Sequence, residues 1–184
     1  MLTSDFDYHL PQELIAQVPP PERGLSRMLV LHRGSGLIEH RHIGDIVEYL
    51  RPGDLMVFND TRVFSARAFG TWQDTPGKLE ILLVEPSLSH PGAWSAMCRS
   101  SRPARPGLVM VLCEGHMRAE VLDKTDDGRV DLRIECDGDI FDVLEKFGVP
   151  PVPPYIHRDT NDLRVGVDKE RYQTVYARET GAVA

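Results

Sequence analysis

The sequence predicts a mixed α/β chain with a module of antiparallel strands set into its middle. Three observations carry this expectation. Between residues 55 and 136, short β-prone runs recur about every ten residues, with Pro-Gly, Glu-Gly and Asp-Gly turn signals between them. On either side the apolar residues switch to helical spacing: Ile43, Ile46, Val47 and Leu50 before, Ile140, Val143, Leu144 and Phe147 after. Stiff proline segments, Pro19 to Pro21 and Pro150 to Pro154, connect the parts.

Each element has a local reason. Residues 11–17 read as a short helix, with Pro11 at the first turn where its missing N–H does no harm. Residues 28–32 and 37–40 are apolar runs around Arg33, Gly34, Ser35 and Gly36, a hairpin signal. No third glycine follows at the offset of a dinucleotide loop. The apolar face at 43–50 reads as a helix that Pro52 and Gly53 end. The strand-like runs are 55–58, 63–69, 79–84, 94–98, 109–113, 118–122 and 130–134. Several alternate, as in Val130, Asp131, Leu132, Arg133, Ile134, which suits a small barrel or sandwich. The helix predicted from Ile140 closes at Gly148. A last helix is expected over 168–177, with Asp168 as its N-cap. An inserted module requires the two flanking parts to meet in space.

Composition narrows the function classes. The chain has 184 residues, 41% hydrophobic and 27% charged, ordinary values for a soluble globular protein. A chain of this length can bury about 70% of its unfolded surface. No apolar run approaches the ~20 residues of a membrane span. Residues 1–10 lack a basic region followed by an apolar one, so no signal peptide and a cytoplasmic location are expected. The 21 Lys and Arg against 28 Asp and Glu give a net charge of −7, which argues against a broadly basic nucleic-acid binder. A local patch remains: Arg99, Arg102 and Arg105 within seven residues and no acid among them. Its bland reading is a solvated loop. Cys98, Cys113 and Cys136 form no Cys-x-x-Cys pair and are expected as core or strand residues. His40 and His42 have no further ligand at metal spacing, so no metal site is expected.

Four places can carry chemistry. Asn59, Asp60, Thr61 and Arg62 directly follow an apolar run, and the carboxyl end of a buried strand is where open α/β sheets place ligands. They offer an amide, a carboxylate, a hydroxyl and a guanidinium fork; the bland alternative is an Asx turn. Lys78 and Glu80 share one side of a strand, as a site or as an exposed ion pair. Tyr155, His157 and Arg158 follow the second proline segment and suit base stacking and phosphate anchoring, or form a rigid strap. Tyr172 and Tyr176 share a helical face near Arg171, Gln173 and Arg178, for ligand stacking or for core packing. Chemistry alone supports binding of something anionic or nucleotide-like.

Four stretches say more. Asp5-Phe-Asp-Tyr-His-Leu-Pro11-Gln-Glu-Leu-Ile15, Arg51-Pro-Gly-Asp-Leu-Met-Val-Phe-Asn-Asp-Thr-Arg-Val63, Val149-Pro-Pro-Val-Pro-Pro-Tyr-Ile156 and Glu170-Arg-Tyr-Gln-Thr-Val-Tyr-Ala-Arg178, running on into Gly181-Ala-Val-Ala184, stand in order along the chain. Together with Arg23-Gly-Leu-Ser26-Arg27 and the following Met28 to Leu31, they resemble the S-adenosylmethionine:tRNA ribosyltransferase-isomerase family of queuosine biosynthesis.

The resemblance implies a complex α/β domain, here incomplete, with an inserted antiparallel β-barrel. Its expected division is 1–62 as the first part of the α/β domain, 63–148 as the barrel, and 149–184 as the truncated return. It implies transfer of the ribosyl group of S-adenosylmethionine to 7-aminomethyl-7-deazaguanine in tRNA, with rearrangement to an epoxycyclopentane. Epoxyqueuosine-tRNA forms, and adenine and methionine leave. S-adenosylmethionine is then a consumed substrate and no cofactor is expected. The partners implied are tRNA and S-adenosylmethionine, with no membrane and a possible monomer at full length. The catalytic residues implied are Asp60 and Tyr172. The substrate-binding residues are Asn59, Thr61, Arg62, Lys78, Glu80, Tyr155, Arg171, Gln173, Tyr176 and Arg178; Arg99, Arg102 and Arg105 are assigned to RNA. The alternative from another class is a non-catalytic fragment that keeps only RNA or nucleotide binding. Residues 90–105 and 159–167 are less family-like.

Overall fold

A computed structural model describes residues 1–158 and 164–181. Parts of two sequence expectations, on 159–163 and on 182–184, lie outside the described residues. The chain divides into two compact units, Met1–Val57 with Tyr155–His157, and Phe58–Pro154 with Arg158–Ala184.

In the first unit the predicted hairpin forms. Strands β1 (Arg27–Leu31) and β2 (Ile38–His42) pair antiparallel, from Arg27 opposite His42 to Leu31 opposite Ile38. The turn needs Gly36 in the left-handed region, at φ 72°, where a side chain would strain the backbone. The predicted helices at 11–17 and 43–50 are instead 3₁₀ segments, Gln12–Leu14 and Ile43–Tyr49. None of residues 1–57 is buried, so no packed face favours an α-helix over the β-branched Ile43, Ile46 and Val47. The run at 55–58 is not a strand: no described segment pairs with it, and Leu55 and Val57 are 88% and 86% exposed.

In the second unit a closed barrel carries the core. Its strands are β4 (Arg67–Trp72), β5 (Thr75–Pro86), β6 (Trp94–Ser100), β7 (Val109–Leu112), β8 (Met117–Lys124) and β9 (Val130–Cys136). They close in the order β4-β5-β6-β9-β8-β7, every pair antiparallel. This is the antiparallel barrel expected of the mixed α/β chain. Alternation builds it: on β5, Leu79, Ile81 and Leu83 point inward while Lys78, Glu80 and Leu82 face outward. Each fully buried leucine or isoleucine contributes about 1.5–3 kcal/mol. Helix α1 (Ile140–Phe147) caps the barrel with Val143 and Leu144. Asp139 accepts from the Phe141 N–H at its start, and the Gly148 N–H closes onto the Leu144 carbonyl at its end.

The ends of the barrel meet, as an insertion requires. Arg67 and Val149 exchange backbone hydrogen bonds of 3.3 and 2.9 Å, and the Arg67 guanidinium donates to the Val152 carbonyl. Before the barrel runs β3 (Thr61–Val63), and after it come α2 (Arg164–Arg171) and β10 (Glu179–Gly181). Strands β3 and β10 pair in parallel. Helix α2 lies earlier than the predicted 168–177, so Asp168 is inside the helix and is not its cap. The reason is its carboxylate, which is taken by Arg158.

The cysteines are free, with Cys113 in the barrel core. Burial pushes the Cys113 thiol up to about 11, and also raises Cys98 and Cys136, so all three favour the protonated thiol.

Candidate functional site

The parallel pair of β3 and β10 joins two distant stretches of sequence. Glu179 stands opposite Thr61, Thr180 opposite Arg62 and Gly181 opposite Val63. Just ahead of the ladder the Asp60 carbonyl accepts from the N–H groups of Arg178 and Glu179, at 2.7 and 3.3 Å. The Arg178 guanidinium donates to the Asp60 carboxylate at 3.2 Å. Their side chains are 46% and 80% exposed, so this ion pair adds at most about 1 kcal/mol of stability. It leaves a carboxylate and a guanidinium fork presented to solvent. Beside them the rings of Phe58 and Tyr176 meet edge to face at 5.5 Å. Phe58, Asp60, Val175, Tyr176, Ala177 and Arg178 line an open cavity of about 690 Å³. It offers an aromatic wall, an acid and a cation, a set that suits a nucleoside bearing a charged tail.

A second cavity of about 390 Å³ lies between β3, α1 and α2. It collects Arg62, Tyr172 and Gln173 from the predicted set, together with Ser65, Phe141, Asp142, Glu145, Asp168 and Lys169. Lys169 reaches across, donating to the Glu145 carbonyl and standing 3.6 Å from its carboxylate. Asp142 and Glu145 are three residues apart on one helical face. Sequence reasoning missed them because it used that helix only for its apolar residues; the same 3.6 periodicity marks the polar face.

Several predicted residues have structural work. Gln173 accepts from the Val63 N–H at 2.7 Å and donates to the Val63 carbonyl at 2.9 Å, taking the place of a neighbouring strand. Asn59 accepts from the Thr61 N–H at 2.9 Å, which is the Asx turn. Thr61 packs its methyl where a side chain on Gly181 would stand, 2.2 Å away. Arg102 forks onto Asp74 at 2.6 and 3.0 Å and lies 4.5 Å over the Trp72 ring. That hydrogen bonding holds the Asp74 carboxyl below its ordinary value. Arg158 likewise grips Asp168, at distances of 2.5 and 2.9 Å. Lys78, Glu80 and Arg99 gather in a separate groove on the barrel. Arg105 is exposed in the loop after β6, and Arg171 ends α2 without lining either cavity. Tyr155 belongs to the first unit, where Gln17 donates to its carbonyl at 2.9 Å and accepts from the His157 N–H at 2.8 Å.

Gln173→Ala is expected to leave both Val63 backbone groups unsatisfied and cost about 2 kcal/mol. Amide exchange at Val63 checks it: faster exchange is expected, and an unchanged rate would show that Gln173 does not hold β3.

A family model described as "Queuosine biosynthesis protein" matches residues 3–184. The chain belongs to that family. Three curated relatives named S-adenosylmethionine:tRNA ribosyltransferase-isomerase are 41%, 44% and 45% identical over all 184 residues, from Acetivibrio thermocellus, Symbiobacterium thermophilum and Pelobacter propionicus. The chain spans about half, 52%, of the length of each. A crystal structure of S-adenosylmethionine tRNA ribosyltransferase from Thermotoga maritima is 31% identical, covering 97% of this chain and 56% of that one, with a TM-score of 0.37. The four stretches that carry the queuosine-family resemblance all fall in the matched region, and two of them supply β3 and β10. Among the described residues no helix of this family member is long and apolar enough to cross a membrane.

Proposed function

We propose that this chain contributes the Asp60 and Tyr172 regions of an S-adenosylmethionine:tRNA ribosyltransferase-isomerase. The observation that supports this reading is the union of Asp60 and Arg178, two residues 118 positions apart in resembling stretches, beside the Phe58 and Tyr176 rings. The reaction moves the ribosyl group of S-adenosylmethionine onto the aminomethyl nitrogen of 7-aminomethyl-7-deazaguanine in tRNA. Epoxyqueuosine-tRNA is the product, with adenine and methionine released.

The chemistry assigns the groups. A sulfonium acidifies the adjoining ribose C5′–H, and a positioned base begins the sequence by taking that proton. Asp60 accepts from a ribose hydroxyl, oriented by Arg178. Tyr176 stacks on a base, and Tyr172 donates toward the leaving adenine from the neighbouring cavity. Arg62 and Arg178, each lining a cavity, supply guanidinium forks for the methionine carboxylate or for phosphates. Asn59, Thr61 and Gln173 hold the loop and strand in place. S-adenosylmethionine is consumed, so the reading calls for no separate cofactor. The reading has the protein act on tRNA in the cytoplasm and asks for a single full-length copy.

The test is a chimera in which this chain replaces the matching part of the Symbiobacterium thermophilum relative. It is expected to release adenine from S-adenosylmethionine only when precursor-bearing tRNA is present. The same chimera with Asp60→Ala is expected to lose at least tenfold in turnover, about 1.4 kcal/mol of transition-state stabilisation. A folded chimera that binds tRNA and releases no adenine would favour the non-catalytic reading. Unchanged turnover with Asp60→Ala would remove Asp60 from the site.

A further inference from the structure

The outer face of the barrel at β4, β5 and β6 carries an arrangement that the two cavities do not use. The register puts Phe69 opposite Glu80 and Glu80 opposite Arg99, so three side chains form one row across three strands. Lys78, opposite Thr71, occupies the next row. Their sequence neighbours Ala68 and Leu79 point into the core, which fixes this row outward. Phe69 is 45% exposed, an aromatic ring on an open sheet face.

The charges on this face do not cancel. Glu80 is neutralised by Arg67, whose Nε stands 3.1 Å from its carboxylate. Among the described residues, Lys78 and Arg99 have no ion-pair partner, although the protein has a surplus of acids. Arg102, close by in sequence, is already held by Asp74. The result is a groove of about 400 Å³, lined by Phe69, Lys78, Glu80, Arg99, Ser100 and Ser101, with two uncompensated cations beside a ring.

We propose that this face binds single-stranded RNA, with Phe69 stacked on a base and Lys78 and Arg99 neutralising phosphates. The pairing of an exposed aromatic with unpaired cations is the chemistry that single strands require, since every base has a π-face and every link carries a charge. The proposal rests on tRNA being the substrate and deepens that reading by naming the surface that holds it. Arg102 has no part in it.

The test measures binding of an unmodified tRNA anticodon stem-loop to the 184-residue chain by fluorescence anisotropy across a salt series. Phe69→Leu keeps the apolar bulk but removes the stacking ring, and about a tenfold loss of affinity is expected. Lys78→Ala with Arg99→Ala is expected to weaken binding and to flatten the salt dependence by about 1.4 in log–log slope, roughly 0.7 for each phosphate no longer neutralised. Arg133→Ala on β9, whose guanidinium is bonded to Glu120, is the control and should bind as the parent chain does. All the substituted side chains are exposed or half-exposed, so thermal midpoints should stay together. Wild-type affinity and salt slope in both test variants would overturn the surface assignment and leave the tRNA reading standing. A parent chain that binds no stem-loop would overturn it too. Failure of the chimera to release adenine would instead strike the enzymatic reading, whatever the anisotropy shows.

Discussion

Asp168→Ala is expected to destabilise the second unit by about 3–5 kcal/mol, because it removes one partner of a buried ion pair. Both carboxylate oxygens of Asp168 face the Arg158 guanidinium, at 2.5 and 2.9 Å. The two side chains are 8% and 10% exposed, which separates this pair from the solvated pairs elsewhere on the protein. An exposed pair would cost no more than about 1 kcal/mol to break. Here Arg158 would keep its charge in a dry setting and lose both of its hydrogen bonds to the Asp168 carboxylate. Urea unfolding followed by tryptophan fluorescence checks this. Asp168→Asn should fall between the parent and the alanine variant, since it keeps an acceptor and loses the charge. A loss below about 1 kcal/mol for the alanine variant would show the pair to be solvated. Function should follow, because Asp168 lines the cavity that holds Tyr172 and Gln173. In the chimera, adenine release should fall with the folded fraction.

The barrel was legible because its information is local. Alternation at Leu79, Ile81 and Leu83, and turns marked by Pro-Gly and Asp-Gly, need only neighbours in sequence to be read. The flanking elements were less legible because partners decide them. Residues 43–50 have helical spacing, but with no buried face they settle as a 3₁₀ segment. Asp168 has the chemistry of an N-cap, and a guanidinium ten residues away claims it instead. Arg99 and Arg102 looked alike in sequence. Asp74, 28 residues from Arg102, distinguishes them: it ties down Arg102, while Arg99 has no ion-pair partner among the described residues. The candidate site was found through resemblance more than through spacing. Nothing near Asp60 in sequence says that it meets Arg178, and nothing near Gln173 says that its amide completes a strand at Val63. Such pairings are long-range, and periodicity carries no trace of them.

Gly70→Val is expected to open the barrel where it closes. Strands β4 and β7 meet through only three residue pairs, Gly70 with Leu112, Thr71 with Val111 and Trp72 with Met110. A side chain at Gly70 would place its first carbon 2.0 Å from the Val111 carbonyl oxygen and 2.9 Å from the Leu112 Cα. Both are backbone atoms, so no change of rotamer relieves the overlap. The strands must part, and the ladder that completes the barrel goes with them. Overpacking of this kind costs roughly 1–3 kcal/mol or more, and loss of the closing ladder adds to it. Gly70→Ala should already be damaging, with the valine variant worse. Gly77 is the contrast: a side chain there would meet the Ser101 hydroxyl at 3.3 Å, and that group can rotate away. Gly77→Ala should therefore stay within about 1 kcal/mol of the parent, close to the scale of ordinary surface changes. Urea midpoints and amide exchange on β4 and β7 separate the two cases. If Gly70→Ala matched the parent in both, β4 and β7 would not be paired in solution, and the six strands would form an open sheet with two free edges.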